Sequence, residues 1–386
     1  MKLTLSRVLL HSRKPTSGVR RAHVLRPSVG VIGVLGVLGV LGLLGCSQDE
    51  TVAPPLSRPA VDFGVQVNRR GTEGADPLFV EAYQDLTVAS LDLAQCAIDW
   101  GEIQMVAGVE FWEPFDAHVR RAIADEIPLS VQLLVIDNQA RGAIPVDVDM
   151  FWIDEGFLRE RIARFSRDLI VRGRGRVQYV WIGREVDAYL VENRGEIAFH
   201  QALLSACRDS IGRVDPAVRV GTTVNWTEAV ARGRMDVVEA IAAYSPVLGL
   251  SIEPWDVNFA QVYSPTAVIS DLRAAVDHFP AHTLAVTEVH YPTLEGDQGP
   301  KEQFVRELVA YLADAPASLQ AIVWFPLHDF SPSAAAVRAL RLYGGEAPRE
   351  ENYRQRLRTV GLKAVNAAPT PAWLTLRDWA RGRPEE

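Results

Sequence analysis

Cysteine is scarce in this chain: of 386 residues, only positions 46, 96 and 207 carry it. None stands at a Cys/His spacing suited to zinc, so the sequence offers no zinc site. Cys96 and Cys207 lie 111 positions apart in apolar segments. Buried free thiols are the expectation, with a disulfide the alternative in an oxidising compartment. Acid is missing from the first 45 positions, which hold Lys2, Arg7, Arg13, Lys14, Arg20, Arg21 and Arg26. Without those seven positive charges the formal net charge of −8 becomes −15. A chain that acidic is a poor partner for nucleic acid or an anionic surface. A glycine-rich phosphate turn is also lacking: the first strand-like run ends Val67-Asn68-Arg69-Arg70-Gly71, which speaks against a dinucleotide-binding open sheet. No solenoid-type repeat and no second domain are visible.

The basic start is followed by an apolar run from Val29 to Gly45, seventeen residues and therefore short for a membrane span. It ends Leu43-Leu44-Gly45-Cys46, which resembles the lipobox of bacterial lipoproteins. That resemblance implies a signal peptide over residues 1–45 and lipid on Cys46 as the new N-terminus. It also implies placement in the cell envelope, with Ser47 favouring the outer membrane. An uncleaved membrane anchor is the alternative; either way the domain lies outside the cytoplasm. Residues 46–60, with Pro54, Pro55 and Pro59, read as a tether.

Residues 61–386 read as one domain. Apolar runs expected to be strands span Val61–Val67, Leu86–Leu91, Pro128–Ile136, Val177–Ile182, Val218–Val224, Val247–Ile252, Thr283 to Glu288, and Gln320–Phe325. Helical segments alternate with them, among them one carrying Leu158, Ile162, Phe165 and Leu169 on a single face. The strands are continuous apolar runs rather than alternating ones, as expected when both faces of a parallel sheet are buried. Eight such units in a chain with 48% hydrophobic residues fit a (β/α)8 TIM barrel, which needs roughly 250 residues.

Two of these strands end in a glutamate. Val177 to Gly183 delivers Arg184 and Glu185, and the seventh strand ends at Glu288. Carboxyls at the ends of strands four and seven face each other across a barrel mouth. That is what glycosidic hydrolysis requires: one acid to protonate the leaving oxygen and one carboxylate to attack, about 5 Å apart in the retaining geometry.

At these stretches the chain resembles clan A of the glycoside hydrolases. Ile182-Gly183-Arg184-Glu185 is similar to the clan's strand-four Gly-Asn-Glu motif. Val286-Thr287-Glu288-Val289-His290-Tyr291-Pro292 is similar to the strand-seven motif of the arabinogalactan endo-β-1,4-galactanase family. The resemblance implies Glu185 as acid/base and Glu288 as nucleophile in a double displacement on a β-linked glycan, with no metal or organic cofactor. Arg184 replaces the clan's asparagine. A permanent charge there would lower the Glu185 pKa, unless it reads an anionic group on the substrate. The clan's arginine near the end of strand two is not identified in this sequence; Arg69 or Arg70 is the candidate substitute. The sugar contacts expected are Arg184, Asn225, Trp226, Trp255, Tyr291 and Trp324, with Trp324 as the stacking platform.

Asp187 reads as a helix cap, and Glu253 and Asp256 add acid at strand six. His290 and His328 are expected to be structural, and Trp100, Trp112, Trp152 and Trp181 to be packing. The partners implied are carbohydrate and, through Cys46, the membrane, with the chain a monomer. A glycan-binding barrel that no longer cleaves is the other reading, and a barrel with an unrelated envelope role the third.

Overall fold

The structure, a computed structural model, describes residues 61–68, 77–106, 108–148, 155–293 and 296–382. The expected signal peptide, Cys46, the tether, Arg69, Arg70 and Trp152 lie outside these residues. Eight parallel strands close on themselves: β1 Asp62–Gln66, β2 Leu93–Ile98, β3 Leu129–Asp137, β4 Val177–Arg184, β5 Arg219–Asn225, β6 Val247–Ile252, β7 Thr283–Val289 and β8 Leu319–Trp324. Each pairs with its neighbours in chain order, and β1 pairs with β8 to complete a (β/α)8 barrel.

Eight helices pack around it: α1 Pro77–Val88, α2 Glu113–Ala124, α3 Glu155–Gly173, α4 Ile197–Gly212, α5 Met235–Ala242, α6 Pro265–His278, α7 Gly299–Ala313 and α8 Pro371–Arg381. Local chemistry sets several of their ends. Ser264 and Thr370 accept from the backbone N–H groups of Ala267 and Trp373, each with proline at the next position, where its missing N–H costs nothing. Among the described residues no helix is long and apolar enough to cross a membrane. Cys96 and Cys207 are free and buried, and burial pushes both thiols up to about 12, so they are inert packing groups.

The second strand is not where the sequence suggested. Leu86–Leu91 splits between the end of α1 and a turn at Ser90, whose φ is +56°. The strand is Leu93–Ile98, an apolar run interrupted by Gln95. Gln95 is fully buried inside the barrel. Its amide donates across the lumen to the Thr287 carbonyl at 2.8 Å and accepts from Ser130 Oγ at 3.0 Å. Trp181 Nε1 in turn donates to Ser130 Oγ at 2.9 Å, and its ring stacks on Tyr179 at 5.6 Å. A buried polar ladder of this kind is affordable only when every member is satisfied. It is also what hid the strand from a hydrophobicity-based reading.

Between β8 and α8 the chain makes an excursion that the sequence did not announce. Two helices, Pro332–Tyr343 and Arg349–Leu357, lie over the mouth as a cap. Their apolar residues Ala335, Ala339, Leu342, Tyr343, Tyr353 and Leu357 form one cluster with Trp255, Phe259 and Phe325. Arg341 grips Asp99 with both terminal nitrogens at 2.9 Å and reaches Asp137 at 3.3 Å. Arg349 bonds to Glu228 at 2.6 Å. At the far end of the excursion, buried Lys301 donates to the Thr359 and Gly361 carbonyls at 2.6 and 2.8 Å.

Candidate active site

The backbone at the ends of β4 and β7 departs from simple alternation, and both departures serve the mouth. Gly183 has φ +84° and Glu185 φ +50°. Left-handed conformations here re-aim Arg184 and Glu185 together toward the lumen, where a regular strand would turn one of them away. In β7 the pairing with β6 shifts register between Val286 and Glu288. This bulge puts Glu288 and His290 on the lumen side, leaving Val289 and Tyr291 against the helices. Asn138, just past β3, has φ +59°; its side-chain amide donates to Glu185 Oε2 at 2.5 Å. Asn225 donates to Glu185 Oε1 at 3.2 Å, and the Glu185 N–H donates to Thr223 Oγ1 at 2.8 Å.

The two glutamates therefore meet in one buried site, 5% and 3% exposed, with Arg184 beside them at 1%. Arg184 forms a short ion pair with Asp137, and its Nε lies 3.6 Å from Glu288 Oε1. Gln132 Nε2 approaches the same oxygen at 3.4 Å. Burial works against the Arg184 charge, yet Asp137, Glu288 and Glu185 outweigh it and hold its pKa above the ordinary arginine value. Glu185 moves the other way from the sequence expectation. Desolvation, then repulsion from Glu288 and Glu253, push its carboxyl well above the usual range; Arg184 and Asn138 only partly offset this. The guanidinium in place of asparagine thus does not strip the site of a protonated carboxyl.

Glu253 belongs to the same cluster. Burial and then Glu288 push its carboxyl up, and its Oε2 lies 3.0 Å from His290 Nε2. Burial lowers His290 to about 3, so the ring is neutral near pH 7. Among the described residues Gln132 Oε1, Trp255 Nε1 and His290 Nδ1 are buried without a hydrogen-bond partner. Buried polar atoms left without partners in this way suit a polar ligand. No described group of three or more His, Cys, Asp or Glu is placed to hold a metal ion.

Several expected sugar contacts lie elsewhere. Trp324 is fully buried on the helix side of β8, its indole N–H donating to the Val360 carbonyl at 3.0 Å and its ring packed on Phe304. The next residue, Phe325, faces the mouth beneath the cap; side-chain parity along the strand decides between the two. Tyr291 turns outward for the same reason, stacking on Phe304 at 5.2 Å and donating to the Tyr263 carbonyl at 2.7 Å. It does not touch Glu288. Trp226 also points away from the mouth: it donates to Asp271 of α6 at 2.8 Å and packs against His278 and Phe279.

Trp255 and Asn225 stay in the site. The Trp255 ring packs on His290 at 4.6 Å and on Phe259 at 5.6 Å. Asp187 is no helix cap; it is fully buried and accepts from the Asn225 N–H at 2.8 Å, and burial pushes it up to about 7. Asp256 organises its own loop, accepting from the Ala260 and Gln261 N–H groups. His290 is part of the cluster rather than remote packing. The site residues the sequence reading missed are Asp137 and Asn138, Gln132, and Arg338 and Arg341 from the cap. Asp137-Asn138 had a signal, a polar pair directly after an apolar strand; the cap residues had none.

A groove of about 770 Å³ opens beside this cluster, lined by Asn68, Asp137, His328, Phe330, Arg338 and Arg341, among others. It reaches the site through Asp137, the partner of Arg184.

No family model matches the sequence, and no curated protein matches it. Solved structures do. GH5_18 from Streptomyces cattleya in complex with GlcNAc superposes with a TM-score of 0.63 at 14% identity, covering 84% of this chain and 80% of that one. The exo-β-1,4-mannosidase Op5Man5 from Opitutaceae bacterium strain TAV5 gives 0.61 at 11% identity, over 84% and 59% of the two chains. Native xylanase 10B from Thermotoga maritima gives 0.55 at 13% identity, over 83% and 95%. These neighbours are clan A glycoside hydrolases. At this identity the likeness shows the architecture: the described domain is a (β/α)8 barrel of the kind on which those hydrolases are built.

Proposed function

We propose that the barrel is a retaining glycoside hydrolase acting on a β-linked glycan. The observation that carries this is the pairing of Glu185 and Glu288 at one mouth in unequal surroundings. Glu185 is desolvated and pushed up, as a general acid requires. Glu288 meets the Arg184 guanidinium and the Gln132 amide. In the first step Glu185 gives its proton to the leaving glycosidic oxygen while a Glu288 oxygen bonds to the anomeric carbon. In the second, Glu185 takes a proton from water, which displaces Glu288 and restores the original anomer. Asn138 and Asn225 hold the Glu185 carboxyl in place between the steps. The likeness to clan A barrels supports the reading, as does the resemblance of the two strand-end motifs. The cap over the mouth favours attack near a chain end over attack in mid-polymer. Lipid anchoring through Cys46 at the cell envelope belongs to the same proposal and rests on the sequence around Cys46.

The test is hydrolysis of aryl β-glycosides and β-linked polysaccharides by the chain and by Glu288→Ala, with the first-formed anomer read by NMR. Turnover with retained configuration, lost in the variant, is the expected result. Binding without turnover in both proteins would replace the hydrolase with a glycan-binding barrel.

A further inference from the structure

The mouth carries several arginines, and three of them are neutralised by acids. Arg184 faces Asp137 and Glu288, Arg341 faces Asp99 and Asp137, and Arg349 faces Glu228. Arg338, on the cap helix Pro332–Tyr343, has no carboxylate partner among the described residues. Its Nε donates to Tyr353 Oη at 3.1 Å, and its guanidinium lies over the rings of Phe325 at 4.9 Å and Phe330 at 5.9 Å. The side chain is half-buried and lines the groove that leads to Asp137. Among the described residues its terminal nitrogens have no hydrogen-bond partner, and they are not sealed from solvent.

A guanidinium held flat by aromatic rings and by one fixed N–H is pre-organised. Its remaining fork can take two oxygens of a carboxylate or a sulfate through two parallel hydrogen bonds. Its charge also reaches the reaction site, since it lowers the pKa of both Glu253 and His290.

We propose that Arg338 is a specificity-determining residue that selects a glycan bearing an anionic substituent, a uronate carboxylate or a sulfate ester, on a sugar seated in this groove. The idea rests on the hydrolase reading for its choice of a glycan. It also answers what the arginine in the strand-four motif left open: the anion is read by Arg338, while Arg184 is spent on its own carboxylates. Non-specific attraction is not the explanation, because the chain carries a formal charge of −8 and its field opposes anions. Recognition must come from the local fork, which works best once salt screens the rest.

The experiment is calorimetric binding, at about 0.15 M salt, to the full chain and to Arg338→Met and Arg338→Lys. The ligands are three β-1,4-linked tetrasaccharides: a glucuronate oligomer, a sulfated gluco-oligomer and a neutral gluco-oligomer. The wild type is expected to bind one anionic ligand about tenfold or more tightly than the neutral one, the size of a charge-assisted hydrogen bond. Whichever anionic ligand it is identifies the substituent. Arg338→Met should bring the ratio close to one, and Arg338→Lys should lose at least half of the preference by keeping charge without the fork. An equal or weaker affinity for both anionic ligands in the wild type overturns the proposal, as does no binding of any, a preference that survives in Arg338→Met, or one that Arg338→Lys keeps by more than half. Thermal melts identify a misfolded methionine variant, and the lysine variant then decides. Product formation is scored separately: selective binding without hydrolysis would remove the enzyme and keep the anion site.

Discussion

Arg184 Nε stands 3.6 Å from Glu288 Oε1 while the same guanidinium holds Asp137 in a buried pair. One cation thus serves two buried acids, and removing it leaves Glu288 without an ion-pair partner and Asp137 with Arg341 alone, at 3.3 Å. Arg184→Met should lower stability by about 3–5 kcal/mol, the cost of breaking a buried pair from one side, read by denaturant unfolding. Arg184 also lowers the Glu185 pKa. Any residual activity of the variant should therefore keep its acid protonated to higher pH, moving the alkaline limb of the rate profile upward. A limb that moves down would show that Glu185 is not the acid.

Trp324 and Phe325 are adjacent but belong to different sides of β8, and their variants should separate. Trp324→Ala removes a fully buried ring and the bond to Val360. A loss of about 3–5 kcal/mol is expected, with substrate affinity of the folded fraction unchanged. Phe325→Ala should weaken ligand binding. Equal effects on both readouts would refute the assignment of faces.

Acid should destabilise the domain through its buried histidines. Burial lowers His200 to about 4 and His290 to about 3. The unfolded chain accepts protons on these rings below about pH 6.5, where the folded state refuses them. Stability is accordingly lost as pH falls from 6.5 toward 4. Glu185 and Glu253 act in the opposite sense: their folded carboxyls hold protons that the unfolded ones release, so their contribution falls as pH rises above the ordinary glutamate value. Asp187, pushed up to about 7 by burial, acts as the two glutamates do. The test is therefore a difference: going from pH 7 to 4, the melting temperature of His200→Gln should rise relative to that of the wild type.

Arg341 ties the cap to Asp99 and Asp137 with a half-exposed side chain. Arg341→Ala should cost only about 1 kcal/mol globally. Hydrogen exchange, however, should speed up in Pro332–Tyr343 and not in β4 or β7. Uniform acceleration throughout the barrel would mean that the cap has no independent opening.

The motifs at positions 182–187 and 286–292 were legible because each ends an apolar strand, and seven of eight strands lay where continuous apolar runs placed them. The missed strand failed through Gln95, whose partners Thr287 and Ser130 are remote in sequence. Side-chain direction beyond the strand ends was legible only in part. Glu288 faces the lumen because of a bulge, and Arg184 joins Glu185 there because of a left-handed turn; neither is written in hydrophobic periodicity. Trp324 and Tyr291 were misread for want of that parity.

The amino-acid sequence by itself determined the number and order of the strands and the two glutamates that terminate β4 and β7. Burial of apolar runs and the strand-to-helix rhythm are local properties, carried by neighbouring residues. Tertiary structure alone decided that Glu185 is pushed up in spite of Arg184, since that balance depends on desolvation and on Glu288 and Glu253 arriving from other strands. It alone decided that a cap from residues 332–357 roofs the mouth and brings Arg338 to its edge. Charges separated by 68 and 103 positions set the Glu185 effect, and only folding fixes the distances between them.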